Sequence, residues 1–83
     1  MEEKIREIVG HVIFKRQNVR RKVSNESHLQ EDLGLDSLDA VLLVFAIEEE
    51  FLIRIPKTFN TYKYETVQDV IDVARTVKKE LYG

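Results

Sequence analysis

The stretch EDLGLDSLDAVLLVFAIEEEF, residues 31–51, contains eight consecutive apolar residues, Ala40 to Ile47, with Asp39 before them and Glu48 after. No Lys or Arg occurs from Val23 to Ile53. The pattern predicts a helix beginning near Asp36 or Ser37 and ending at about Phe51. Each residue of an α-helix advances about 100° around the axis. With Ser37 at zero, Ala40, Leu43, Val44, Ile47 and Phe51 share one side and form the expected core face. Leu38, Leu42 and Phe45 fall opposite, with Val41 at their edge and Glu48 and Glu49 close by. Burial of a Leu or Phe is worth about 1.5–3 kcal/mol, so a second apolar stripe calls for a cover. A chain this short has little material to bury both sides of a central helix. The second stripe is therefore read as a docking surface rimmed by charge.

The flanking segments predict further helices. Ile5, Ile8, Val9, Val12 and Ile13 follow the i, i+3, i+4, i+7 spacing of one stripe. Glu2 and Glu3 open that helix and Lys15 and Arg16 close it, as the helix dipole favours. Gly10 weakens it by about 1 kcal/mol relative to Ala and is read as marking a close packing contact. From about Asn18 to Asp36 the periodicity fades, and Val23, Leu29, Leu33 and Leu35 are expected to pin a long loop to the core. Pro56 permits a short helical turn in the segment up to Tyr64. Thr66 and Asp69 resemble a capping pair at the start of a last helix, whose stripe is Val67, Val70, Ile71, Ala74, Val77 and Leu81. Lys78 and Lys79 close it. No segment alternates with period two, so no sheet is expected. The fold class is all-α: three main helices plus one short helix in a small bundle, with residues 1–83 forming a single domain.

Composition narrows the chemistry. The 83 residues include no cysteine, which excludes disulfides and thiolate metal sites and suits a reducing, cytoplasmic setting. No apolar run approaches the roughly 20 residues of a membrane span. The charged, helix-periodic N-terminus is unlike a signal peptide. The net charge is only -2, but the charges are segregated: Lys15, Arg16, Arg20, Arg21 and Lys22 cluster, whereas Glu26 to Glu50 carries acids alone. The basic cluster is too narrow for a nucleic-acid face and is read as a solvated patch near a helix end.

A serine at a helix start is most often a cap. Its surroundings here argue for more. Leu33-Gly34-Leu35-Asp36-Ser37-Leu38 closely resembles the signature of the acyl carrier protein family, in which a serine between Asp and Leu carries 4'-phosphopantetheine. Glu31-Asp32, Asp39, Glu48-Glu49-Glu50-Phe51, Ile55-Pro56 and Thr66-Val67-Gln68 also fit the family pattern, so the resemblance spans essentially the whole chain. It implies covalent 4'-phosphopantetheine on Ser37, with Asp36 and Leu38 as the flanking cofactor-site residues. It implies a carrier rather than a catalyst. Its partners would be a phosphopantetheinyl transferase and acyl-transferring and acyl-modifying enzymes. They would dock on the 37–51 helix through Leu38, Asp39, Val41, Leu42, Phe45, Glu48 and Glu49, with the carrier a monomer. The physical logic agrees. A phosphodiester on Ser37 would sit beside free N–H groups at the positive end of a helix, and Gly34 lets the chain turn tightly just before.

Several residues depart from the pattern. Many fatty-acid carriers have Glu where this chain has Leu42, and Met is frequent where it has Phe45. Lys57, Tyr62, Lys63 and Tyr64 stand where acids are common, and Arg20-Arg21-Lys22 is atypical. These changes remove charge from the usual docking surface and point to a specialised fatty-acid, lipid or polyketide-type pathway. Peptidyl and D-alanyl carriers share the serine motif. An unmodified helical adaptor would share the two-faced helix but has no use for an exposed Ser37. A serine hydrolase lacks the Gly-x-Ser-x-Gly elbow, and His11 and His28, the two possible bases, have no family-type spacing; they are expected on a helix surface and in the loop. Asp32, Asp36 and Asp39 lack the ligand order of a calcium loop, so no metal site is expected.

Overall fold

The computed structural model describes residues 1–55 and 65–82. Among these, three helices form: α1 (Glu2–Gln17), α2 (Ser37–Phe51) and α3 (Val67–Tyr82). The short helical turn expected after Pro56, together with Lys57, Tyr62, Lys63 and Tyr64, lies outside the described residues. The all-α bundle read from periodicity is the architecture observed.

α1 and α2 run antiparallel. Arg16 near the end of α1 meets Asp39 near the start of α2, and Lys4 near the start of α1 meets Glu50 near the end of α2. One core cluster joins Ile5, Val9 and Ile13 of α1, Leu43 and Ile47 of α2, and Val67, Val70 and Ile71 of α3. Each helix thus contributes the stripe its spacing predicts. Three positions depart from expectation. Leu81 keeps the register of its stripe but is 57% exposed, because α3 outlasts the core after Val77. Phe51 is only half-buried, packed on the cluster's edge with the Lys78 ammonium 5.6 Å from its ring centre. Gly10 marks no close contact: a Cβ built there would meet nothing within 4 Å.

The long loop is ordered by its anchors. Leu29, Leu33 and Leu35 are buried in the core cluster, and Val23 packs against it half-buried. Short-range backbone bonds fold the segment on itself, with Leu33 N and Asp32 N donating to His28 O and Leu35 N to Leu29 O. Asn25 ties the loop to two helices. Its side-chain amide donates to Glu2 and Gln68, and its carbonyl oxygen accepts from Arg6 at 2.7 Å. Glu2 also accepts from Arg75 at 2.7 Å. That bond, with help from Asn25, holds the Glu2 carboxyl below the usual glutamate range. Among the described residues the strand-like pairing is confined to one antiparallel bridge, His28 with Thr66. It brings the loop alongside the start of α3.

Candidate functional site at the start of α2

Asp36, in extended conformation, caps α2. Its carboxylate accepts from Asp39 N at 2.9 Å, and Asp36 N donates back to the Asp39 carboxylate at 3.2 Å. This reciprocal box satisfies two of the donors that a helix start leaves free. The Asp39 N–H donating into the Asp36 carboxylate holds that carboxyl below the usual aspartate range, with a smaller contribution from Arg16.

Because Asp36 is the cap, Ser37 is not needed as one. It occupies the first helical position, is exposed, and its side chain makes no hydrogen bond among the described residues. The chain's other serines are differently employed. Ser24 and Ser27 are half-buried in the loop, and their hydroxyl oxygens lie 3.1 Å apart. A group esterified to Ser37 would meet no competing partner and would stand at the positive end of the helix, which suits a phosphate.

The approach to Ser37 is braced from α1. Gly34 has φ +66, a left-handed conformation that glycine adopts without strain. Gln17 donates its side-chain amide to Leu33 O at 2.9 Å and to Gly34 O at 3.3 Å. The turn read from Gly34 is therefore present, and the residue that holds it comes from another helix.

The second stripe is exposed along its length, with Leu38 at 54%, Val41 and Leu42 at 38% and Phe45 at 59%. The expected outward residues do not all follow. Asp39 is turned inward and 5% exposed, where Arg16 Nε donates to it at 2.7 Å. Its place on the helix faces α1, and the box and the ion pair occupy its oxygens, so it is unavailable as part of an open docking face. Glu48 is half-buried, and one of its oxygens accepts from Ile55 N at 2.8 Å, holding the chain that leaves α2. Glu49 is exposed. On the core side, Leu43 and Ile47 are buried and Ala40, Val44 and Phe51 are half-buried.

His11 is exposed on α1, in a groove of about 590 Å³ whose walls include Lys4, Glu7, Ala46 and Glu49. His28 lies in the loop with its Nδ1 accepting from Glu31 N. Among the described residues no three His, Asp or Glu side chains gather in a way that could hold a metal ion. No described helix is long and apolar enough to cross a membrane.

The Asp36–Asp39 box is not among the expected features, although its signal lies in the same cap-to-N3 spacing that marks Thr66 and Asp69. Nor are Arg16 and Gln17 as braces of the site, for which no local signal exists. A protein-family model described as "Phosphopantetheine attachment site" matches residues 3–74, most of the chain.

Proposed function

The chain belongs to the phosphopantetheine attachment-site family, whose members hold 4'-phosphopantetheine covalently on a serine, and on that premise we propose that Ser37 is the serine and that the chain works as an acyl carrier. The observation that carries the assignment is the exposed Ser37 hydroxyl, relieved of capping by Asp36, at the head of a helix with an uncovered apolar stripe. When bound, the prosthetic group supplies a terminal thiol on which acyl groups are carried as thioesters. The chain's own residues do the rest. Asp36 and Asp39 set where the helix starts, Gln17 and Gly34 hold the turn before it, and the positive end of α2 would favour a phosphate on Ser37. Leu38, Val41, Leu42 and Phe45 offer partner enzymes a surface to bury, rimmed by Glu49. On this reading the chain is a substrate for a phosphopantetheinyl transferase and for acyl-handling enzymes of the cytoplasm, and is not itself a catalyst.

Leu42 supports a dedicated pathway over general fatty-acid synthesis, because an acid there would pair with a basic enzyme surface. Restoring it with Leu42→Glu should speed encounter with ordinary fatty-acid enzymes, most at low ionic strength, where screening is weakest. Equal malonyl-loading rates for native and substituted protein would remove that part of the proposal.

The primary test is intact-protein mass spectrometry after incubation with coenzyme A and a broad-specificity transferase. One pantetheinyl arm should be gained, and Ser37→Ala should prevent it. Gain that survives Ser37→Ala would move the site, and no gain at all would favour an unmodified adaptor that uses the same stripe.

A further inference from the structure

The cations after the middle of α1 form a group that the function above leaves unused. Among the described residues, Lys4, Arg6, Arg16 and Arg75 each pair with an acid; Arg54, Lys78 and Lys79 enter no ion pair, and neither do the four that cluster here, Lys15, Arg20, Arg21 and Lys22. All four are exposed. Acids are not scarce, since the chain has 15 against 13 Lys and Arg. Lys15 lies in the last turn of α1, where the helix's negative end favours it. Arg20, Arg21 and Lys22 lie beyond that end, and the dipole's effect fades within a turn. Their only side-chain partners among the described residues are uncharged. The Arg20 guanidinium sits 5.1 Å from the centre of the exposed Phe14 ring, and Arg21 Nε donates to Gln17 Oε1 at 3.2 Å.

Gln17 ties this group to the arm site. The same side chain that accepts from Arg21 donates to Leu33 O and Gly34 O, three to four residues before Ser37. A protein that covers Ser37 and Leu38 therefore comes to the edge of the Arg20–Lys22 segment as well. We propose that the partner docking on the α2 stripe sets carboxylates opposite Arg20, Arg21 and Lys22, so that this carrier is recognised at the base of its arm by an acidic protein surface. The inference rests on the carrier reading of Ser37. An arginine partly ordered on an aromatic ring and still holding unused N–H donors is suited to bidentate contact with a carboxylate. A bilayer or a nucleic acid fits less well. Glu31, Asp32 and Asp36 are exposed around the same turn and would face any continuous polyanion, whereas a protein can match each charge with its opposite.

The test uses one fatty-acid condensing enzyme in two forms: one with a basic docking rim, and one in which only the rim lysines and arginines that meet residues 20–22 of the docked carrier are changed to Glu, those that meet α2 being kept. Association of the full-length, arm-loaded protein with each is followed by stopped flow at low and at moderate ionic strength. The native protein should associate about tenfold faster with the acidic-rim form at low ionic strength, and the advantage should shrink with salt. Arg20→Glu/Arg21→Glu/Lys22→Glu should erase or invert that preference while melting at the native temperature. If the triple variant is poorly folded, Arg20→Gln/Arg21→Gln carries the same comparison. A native preference for the basic rim, or a preference the variants leave unchanged, overturns the proposal. So does sedimentation of the native protein, but not the variants, with vesicles of anionic phospholipid, which would assign the patch to a membrane. If mass spectrometry shows that Ser37 takes no arm, the carrier reading itself fails and this inference falls with it.

Discussion

The starts of α2 and α3 use the same local device and present opposite things. In each, an aspartate at the third helical position accepts from the cap residue's N–H while its own N–H donates to the cap side chain: Asp39 with Asp36, and Asp69 with Thr66. At α3 the first helical residue is Val67, fully buried. At α2 it is Ser37, exposed, and the third residue, Asp39, is the buried one. A capping box determines where a helix begins and leaves its rotation about the axis undetermined. Rotation comes from the apolar stripe further along, which seats Val67 in the core in one case and turns Ser37 outward in the other.

The sharpest way to break this comparison is to exchange the first residues. Val67→Ser should cost about 2–4 kcal/mol, from lost burial and from a hydroxyl with no assured partner. The measurement is a urea titration, and a cost within about 0.5 kcal/mol would mean that the start of α3 is not held as described. The third positions come next. Asp39→Ala removes half a capping box and also strands Arg16, so it should cost about 2 kcal/mol, against about 1 kcal/mol for Asp69→Ala. Equal costs would show that the Arg16 contact contributes nothing.

A smaller effect concerns pH. The Asp36 carboxyl titrates below its ordinary value of 3.8, so the folded state binds this proton less readily than the unfolded chain. Its contribution is present above that ordinary value and lost as pH falls through the lower folded one. Glu2 behaves in the same way from its ordinary value of 4.5. Asp36→Asn keeps a good cap and removes the titration, so stability measured from about pH 5 down to about pH 2 should fall less steeply than in the native protein. Parallel profiles would refute the Asp36 contribution. The smallest effect on stability is expected from Ser37→Ala, within about 0.5 kcal/mol, since Asp36 is the cap. A loss of 1 kcal/mol or more in thermal or urea unfolding would return Ser37 to a structural role.

Much of this molecule was readable from local spacing. The stripes of α1 and α3, the bounds of α2 and its two apolar sides and the Thr66–Asp69 pair follow from residue type and period, and the anchors Leu29, Leu33 and Leu35 from their apolar type in a segment where the period fades. The failures share a cause. Asp39 looked like one more acid of an open face because its partner Arg16 lies 23 residues away in sequence. Phe51 and Leu81 sit at the correct angle on their helices but near the ends, where the neighbouring elements no longer cover them. Gly10 suggested a close approach where α1 has open space.

Which segments are helical, which of their faces are apolar and where a serine stands relative to a helix start are legible in residue order alone, because these depend on neighbours within a turn or two. That the Ser37 hydroxyl makes no hydrogen bond among the described residues while the Asp39 carboxylate is enclosed, that Gln17 braces the turn at Gly34, and that the cations of residues 20–22 enter no ion pair among the described residues follow from how the helices pack. Those outcomes depend on which helix lies against which, and that arrangement is set by the burial of the whole core, with no single residue's propensity able to specify it.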